Sequence, residues 1–215
     1  GVEPGGIDGK RGRLMTPATC PETEPVMDRL ADALLPPFDR YDDERLLRHF
    51  HTRTGVEYFP VIEPDQARGE RIDAILDNVF EFNGEQHALS NPVRWLENPS
   101  RDLEWHILLH KFYYSVGLGI RFHRSRDARY VAKWVELTDS WLAATPPGFI
   151  AADVTGRRIQ NWIYAHHYFV TRNRPQGMSP AFYGRFLLSL HEQVAHLVEN
   201  LAPARNHRTL ELYAI

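Results

Sequence analysis

The sequence predicts an all-α protein assembled from consecutive helical hairpins, and three observations predict it. Through the second half of the chain, apolar residues recur at i, i+3, i+4 and i+7, the period of a helix that buries one stripe. Helix-breaking clusters such as Pro146-Pro147-Gly148 and start signals such as Ser179-Pro180 separate these stripes. Long helices joined by short loops pack most simply as antiparallel neighbours.

Residues 1–25 are rich in Gly, Pro and charge and read as a flexible leader ahead of a domain spanning 26–215. Residues 26–35 read as a short helix stopped by Pro36-Pro37, and 42–51 as another. A third is expected over 64–79, with Pro64 in its first turn and Ile72, Ile75, Leu76 and Val79 on one face. Phe80-Glu81-Phe82-Asn83-Gly84 alternates apolar and polar and ends in Asn-Gly, so it reads as an extended segment and a turn. Residues 91–101 form a loop carrying Trp95.

From Glu104, one stripe of Trp105, Leu108, Leu109, Phe112 and Val116 predicts a long helix. Ser125 or Asp127 starts the next, with Trp134 and Trp141 facing inward, and Pro146-Pro147-Gly148 ends it. Thr155 is the expected cap of a helix running to about 171. Ser179 and Pro180 begin a helix with an apolar face from Phe182 to Leu201, broken by Pro203. Residues 206–215 open one more helix, and the apolar pattern there has no stop signal, which leads us to expect more protein beyond it.

The 215 residues, 43% hydrophobic, suffice for one core. A net charge of -3 with mixed signs gives no basic stripe, so nucleic acid is not an expected partner, and a strong grip on a heavily sulfated polymer is disfavoured. No apolar run reaches the ~20 residues that span a bilayer, and the first residues lack the apolar segment of an export signal. Cys20 is the single cysteine, which excludes an intrachain disulfide.

Several short elements carry a resemblance: Phe80-Glu81-Phe82-Asn83-Gly84, Trp95, Asn98-Pro99, Glu104-Trp105 with Phe112-Tyr113, Arg157-Arg158-Ile159-Gln160-Asn161-Trp162, and Asn206-His207 with Glu211. In their order and spacing they resemble the N-terminal region of heparinase II/III and alginate lyase proteins, over about two thirds of the chain. The resemblance implies part of an (α/α) toroid, incomplete here, followed by the rest of the toroid and a β-sandwich domain. It implies β-elimination at a uronic acid of an acidic polysaccharide, in the periplasm or outside the cell, without a cofactor. Asn206 and His207 would be the toroid's catalytic contribution, and a tyrosine acid and a second histidine would come later.

That chemistry suits these side chains. The C5 proton of a uronate is not acidic while its carboxylate is ionised, so donors must meet the charge that develops there. Asn206 supplies an amide that never titrates. His207 supplies an imidazole able to donate to the carboxylate or to take the proton. A helix start just after Pro203 favours an anion, and Glu211, one turn on, is placed to orient the imidazole. Arg158, Asn161 and Trp162 are candidates to bind substrate: Arg for carboxylate or sulfate, the indole as a platform for a sugar face.

Plainer readings stand beside these. Asn206 is also a good N-cap, Trp162 a good core residue, and Trp95, Trp105, Trp134 and Trp141 read as core. His106 and His110 have metal-ligand spacing, but the segment lacks the HExxH pattern and nearby cysteines, so no metal is expected. No phosphate loop or nucleophile elbow is present. A glycan-binding or structural helical module is the alternative function. A glycoside hydrolase using Asp153 and Glu104 is a weaker one.

Overall fold

The computed structural model describes residues 26–215 except 52, 54, 56, 57, 59–61, 66, 147, 174–176 and 204, and the side chains of 205 and 210. The expected leader, with Cys20, lies outside the described residues. The chain forms α1 (Val26–Ala33), a 3-10 turn (Phe38–Arg40), α2 (Asp43–His51), α3 (Gly69–Ile75), β1 (Val79–Phe82), β2 (Glu85–Ala88), α4 (Leu103–Lys111), α5 (Tyr113–Ser125), α6 (Ala128–Ala144), α7 (Ala152–His166), α8 (Pro180–Glu199) and α9 (Arg205–Leu212). A π-helical turn, His167–Thr171, extends α7.

These elements are the helical hairpins of an (α/α) toroid. One row holds α5, α7 and α9 side by side. The other holds α6 and α8, with α1 and α2 packed on α8. The rows join through the hairpins α5–α6 and α7–α8. Because α8 returns the chain, α7 and α9 begin at the same end. That single consequence of hairpin topology positions the site.

Local chemistry explains most boundaries. Asp102, Asp127 and Ser179 cap α4, α6 and α8, each side chain accepting from a backbone N–H of the first turn. Asn83 and Gly84 both have positive φ, as a tight hairpin turn requires, and β1 pairs antiparallel with β2, Phe82 opposite Glu85. Two boundaries differ from expectation. The helix foreseen over 64–79 is only Gly69–Ile75, because Val79 pairs with Ala88 in the hairpin. The helix that Thr155 was to cap begins at Ala152 without a side-chain cap. Thr155 lies inside it, buried, and accepts from Arg158.

The continuous stripe from Trp105 to Val116 also does not form one helix. The chain breaks at Phe112, which adopts a left-handed conformation with φ 57° and separates α4 from α5. A non-glycine residue there costs roughly 1–2 kcal/mol. The Phe112 ring offsets it: fully buried, it stacks on Trp95 at 5.4 Å and meets Trp162 edge-on at 5.3 Å.

Gly117 and Gly119 let α5 approach its neighbours. A Cβ on Gly117 would sit 2.3 Å from Ile72 Cδ1, and one on Gly119 2.8 Å from Tyr168 Cβ. Ile72 is itself fully buried and has little room to retreat. Gly117→Ala is therefore expected to destabilise by about 1–3 kcal/mol through overpacking, read as a lower urea midpoint at unchanged slope.

Candidate active site

Asp153 stands in the first turn of α7, and Asn206 and His207 in the first turn of α9. Since the two helices start at one end and pack together, the Asp153 carboxylate reaches His207: Oδ2 lies 2.9 Å from Nδ1. A carboxylate accepts, so the proton sits on Nδ1, and in the neutral ring Nε2 keeps its lone pair. The His207 side chain is 67% exposed and that of Asp153 24%. So open a contact adds at most about 1 kcal/mol to stability, and orienting the ring is its larger effect. Asn206 is exposed too, and among the described residues its amide makes no hydrogen bond. It lies within the first turn of α9, not ahead of it as an N-cap would.

Glu211 is placed otherwise than its spacing suggested. It is 1% exposed and accepts from the Ala202 backbone N–H at 2.7 Å, fastening the α8–α9 connection. The i, i+4 relation puts it near His207 along the helix, but α9 turns Glu211 inward and His207 toward α7. Asp153, separated from His207 by 54 residues, takes the orienting position.

Arg158, Asn161 and Trp162 stand inside the protein rather than on an open groove. Together they clasp the break at Phe112. Asn161 Nδ2 donates to Lys111 O at 2.7 Å and Arg158 Nη1 to His110 O at 3.4 Å, meeting carbonyls that the end of α4 leaves free. Trp162 packs on the Phe112 ring itself. The Arg-x-x-Asn-Trp pattern is thus one face of α7 turned toward the neighbouring helix end. Asp153 is bound to His207 and Glu104 to Lys111 at 3.3 Å, so each carboxylate of the hydrolase alternative has a different partner.

His106 and His110 form a buried pair, their Nε2 atoms 3.1 Å apart and each within 2.9 Å of Trp95 O. Trp141 Nε1 donates to His110 Nδ1 at 3.0 Å, which fixes the neutral tautomer with its proton on Nε2. Among the described residues no three His, Cys, Asp or Glu side chains are grouped to hold a metal. Nor, among them, is any helix long and apolar enough to cross a membrane.

Burial, with His106 beside it, lowers His110 to about 3, and burial lowers His166 to about 3. Unfolded, each protonates near 6.5, so below that pH the unfolded chain binds protons that the folded one refuses. Stability is expected to fall as pH drops from about 6.5 toward 3, by up to about 1.4 kcal/mol per pH unit for each ring. Urea titrations across this range check it. His166→Phe is expected to reduce the slope, and an unchanged slope would exclude His166 as a source.

Two rows of packed helical hairpins define a class of fold, that of (α/α) toroids. The chain belongs to the heparinase II/III N-terminus family, whose profile matches residues 39–215. A heparin-sulfate lyase of Pedobacter heparinus is 28% identical over 127 residues, covering 55% of this chain and 19% of that protein. A heparinase III structure superposes with a TM-score of 0.70 at 18% identity, over 80% of this chain and 32% of the other. The crystal structure of heparan sulfate lyase HepC from Pedobacter heparinus gives 0.66 at 21% identity, over 80% and 30%. The chain thus spans no more than a third of the length of these relatives.

Proposed function

We propose that this chain is the part of a polysaccharide lyase that presents Asn206 and His207 to a uronate of an acidic polysaccharide, for cleavage by β-elimination. Membership of the heparinase II/III family supports the reaction class. The observation that carries the assignment of residues is the exposed Asn206-His207 pair with His207 oriented by Asp153 at 2.9 Å.

In this reading the Asn206 amide donates to the uronate carboxylate and stabilises the charge that develops as the C5–H bond breaks. His207, held through Nδ1, turns Nε2 to the substrate. There it accepts the C5 proton or, when protonated, donates to the carboxylate beside Asn206 while a base supplied by the rest of the protein takes the C5 proton. The C4–O4 bond then breaks, C4 and C5 become doubly bonded, and the leaving oxygen takes a proton from a group supplied by the rest of the protein. The α7 and α9 N-termini converge on the same place and favour a bound anion.

The test is ultraviolet absorbance of the unsaturated uronate, with full-length protein and a panel of uronate polysaccharides that includes heparan sulfate. A rise that disappears in His207→Ala supports the reading. Hydrolytic products lacking the double bond would sink it, and glycan binding without turnover would favour a binding module.

A further inference from the structure

Between α6, α7 and α8 lies a cavity of about 240 Å³ whose lining includes neither Asp153 nor His207. Trp141, Phe149, Ile150 and Leu188 give it apolar walls, and Arg158 and Gln193 stand at its polar side. The Arg158 guanidinium lies 4.1 Å from the Trp141 ring centroid. Its hydrogen bonds go to Gln193 Oε1 at 2.7 Å, Thr155 Oγ1 at 3.2 Å and His110 O at 3.4 Å, all neutral. A guanidinium carries five N–H groups, so two are left without an acceptor among the described residues.

The other arginines of the lining differ. Arg29 is paired with Glu192, and Arg185 with Asp139 at 2.8 Å. Arg158 is 2% exposed and has no carboxylate partner among the described residues. A buried charge in that state is costly unless an anion meets it. Burial lowers it only to about 9, so it is a cation at neutral pH.

We propose that this cavity is a binding site for a small carboxylate with a compact aromatic or short aliphatic body. The carboxylate meets the free N–H groups of Arg158, and the body lies against Trp141, Phe149 and Leu188. A benzene-sized guest fills a cavity of about 150 Å³, so the space here suits a benzoate-sized molecule. The site is independent of the elimination chemistry, and its test reads binding rather than turnover.

Calorimetry and saturation-transfer NMR on the full-length protein, with benzoate, neutral benzamide and glucuronate, decide it. Benzoate is expected to saturate with a Kd of about 1 mM, a strength ordinary for so small a ligand. Benzamide, of the same shape without the charge, is expected to bind at least tenfold more weakly, in line with the roughly doubled strength of charge-assisted hydrogen bonds. Phe149 is 37% exposed on a connection, so Phe149→Ala spares the fold while removing a wall, and about a tenfold weaker benzoate affinity is expected. Arg158→Lys keeps the charge and loses the fork, and is expected to weaken benzoate further. No saturation by about 50 mM benzoate, well past that expected Kd, would overturn the site. Equal binding of benzamide, or unchanged affinity in Phe149→Ala, would overturn its placement on Arg158. Glucuronate that displaces bound benzoate at equal concentration would overturn the apolar ligand class.

Discussion

Replacing His207 by alanine in the full-length protein is expected to lower kcat/KM on a uronate polysaccharide by about a hundred- to ten-thousand-fold, the range for a positioned general acid or base. The fold should hardly register the change. The side chain is 67% exposed and its contact with Asp153 is open to water, so the stability loss is expected to stay below about 1 kcal/mol. Asp153→Asn is the sharper test, because Asp153 acts through His207 and is a positioning residue. An amide can turn its NH2 toward Nδ1 and admit the wrong tautomer, and losing such an orienting partner costs about 10- to 100-fold. If Asp153 works only through the imidazole, adding Asp153→Asn to His207→Ala lowers activity no further. Fully additive losses in the double variant would show that Asp153 has a separate role, and the pairing would then be structural.

What the sequence discloses and conceals here follows from the range of the interactions. Ser179-Pro180 and Asn83-Gly84 declare a helix start and a tight turn because the residue types themselves satisfy the backbone within three positions. Phe112 declares nothing. Its stripe reads as one helix, and the break is imposed by Trp95 on one side and by Asn161, Arg158 and Trp162 on the other, up to 50 residues away. Asp153 is silent for the same reason, since its partner depends on which helices share a row. Glu211 shows the opposite hazard. Its spacing correctly places it one turn from His207, but spacing along one helix does not say which side that helix buries. Glu211, Arg158 and Asn161 thus share one feature that spacing does not disclose: each polar side chain of the recognisable pattern is turned inward, where it also satisfies backbone groups at helix ends.

That reinterpretation has its largest consequence at Trp162. As a sugar platform it would raise KM when truncated and leave the melting temperature alone. In the structure it is fully buried at the junction of α4, α6, α7 and α8, edge-on to Phe112 at 5.3 Å and to Trp141 at 5.4 Å, and 5.7 Å from Phe186. Trp162→Ala is expected to destabilise by about 3–5 kcal/mol, the range for emptying an aromatic site in a packed core. The cost should fall at the high end, because the ring supports Phe112 in its strained conformation and the cavity would lie directly beneath that break. Trp162→Phe separates volume from polarity. The indole Nε1 has no hydrogen-bond partner among the described residues, so phenylalanine gives up ring area without stranding an acceptor. Trp95→Phe is the contrast, since Trp95 Nε1 donates to Ser140 Oγ at 3.0 Å and its loss leaves that hydroxyl without the donor. Chemical denaturation of the three variants, with activity measured well below each midpoint, checks the assignment. A large loss for Trp162→Ala with unchanged KM fits a core wedge. A stable Trp162→Ala protein with a raised KM would return Trp162 to the substrate and remove the clasp around Phe112 with it.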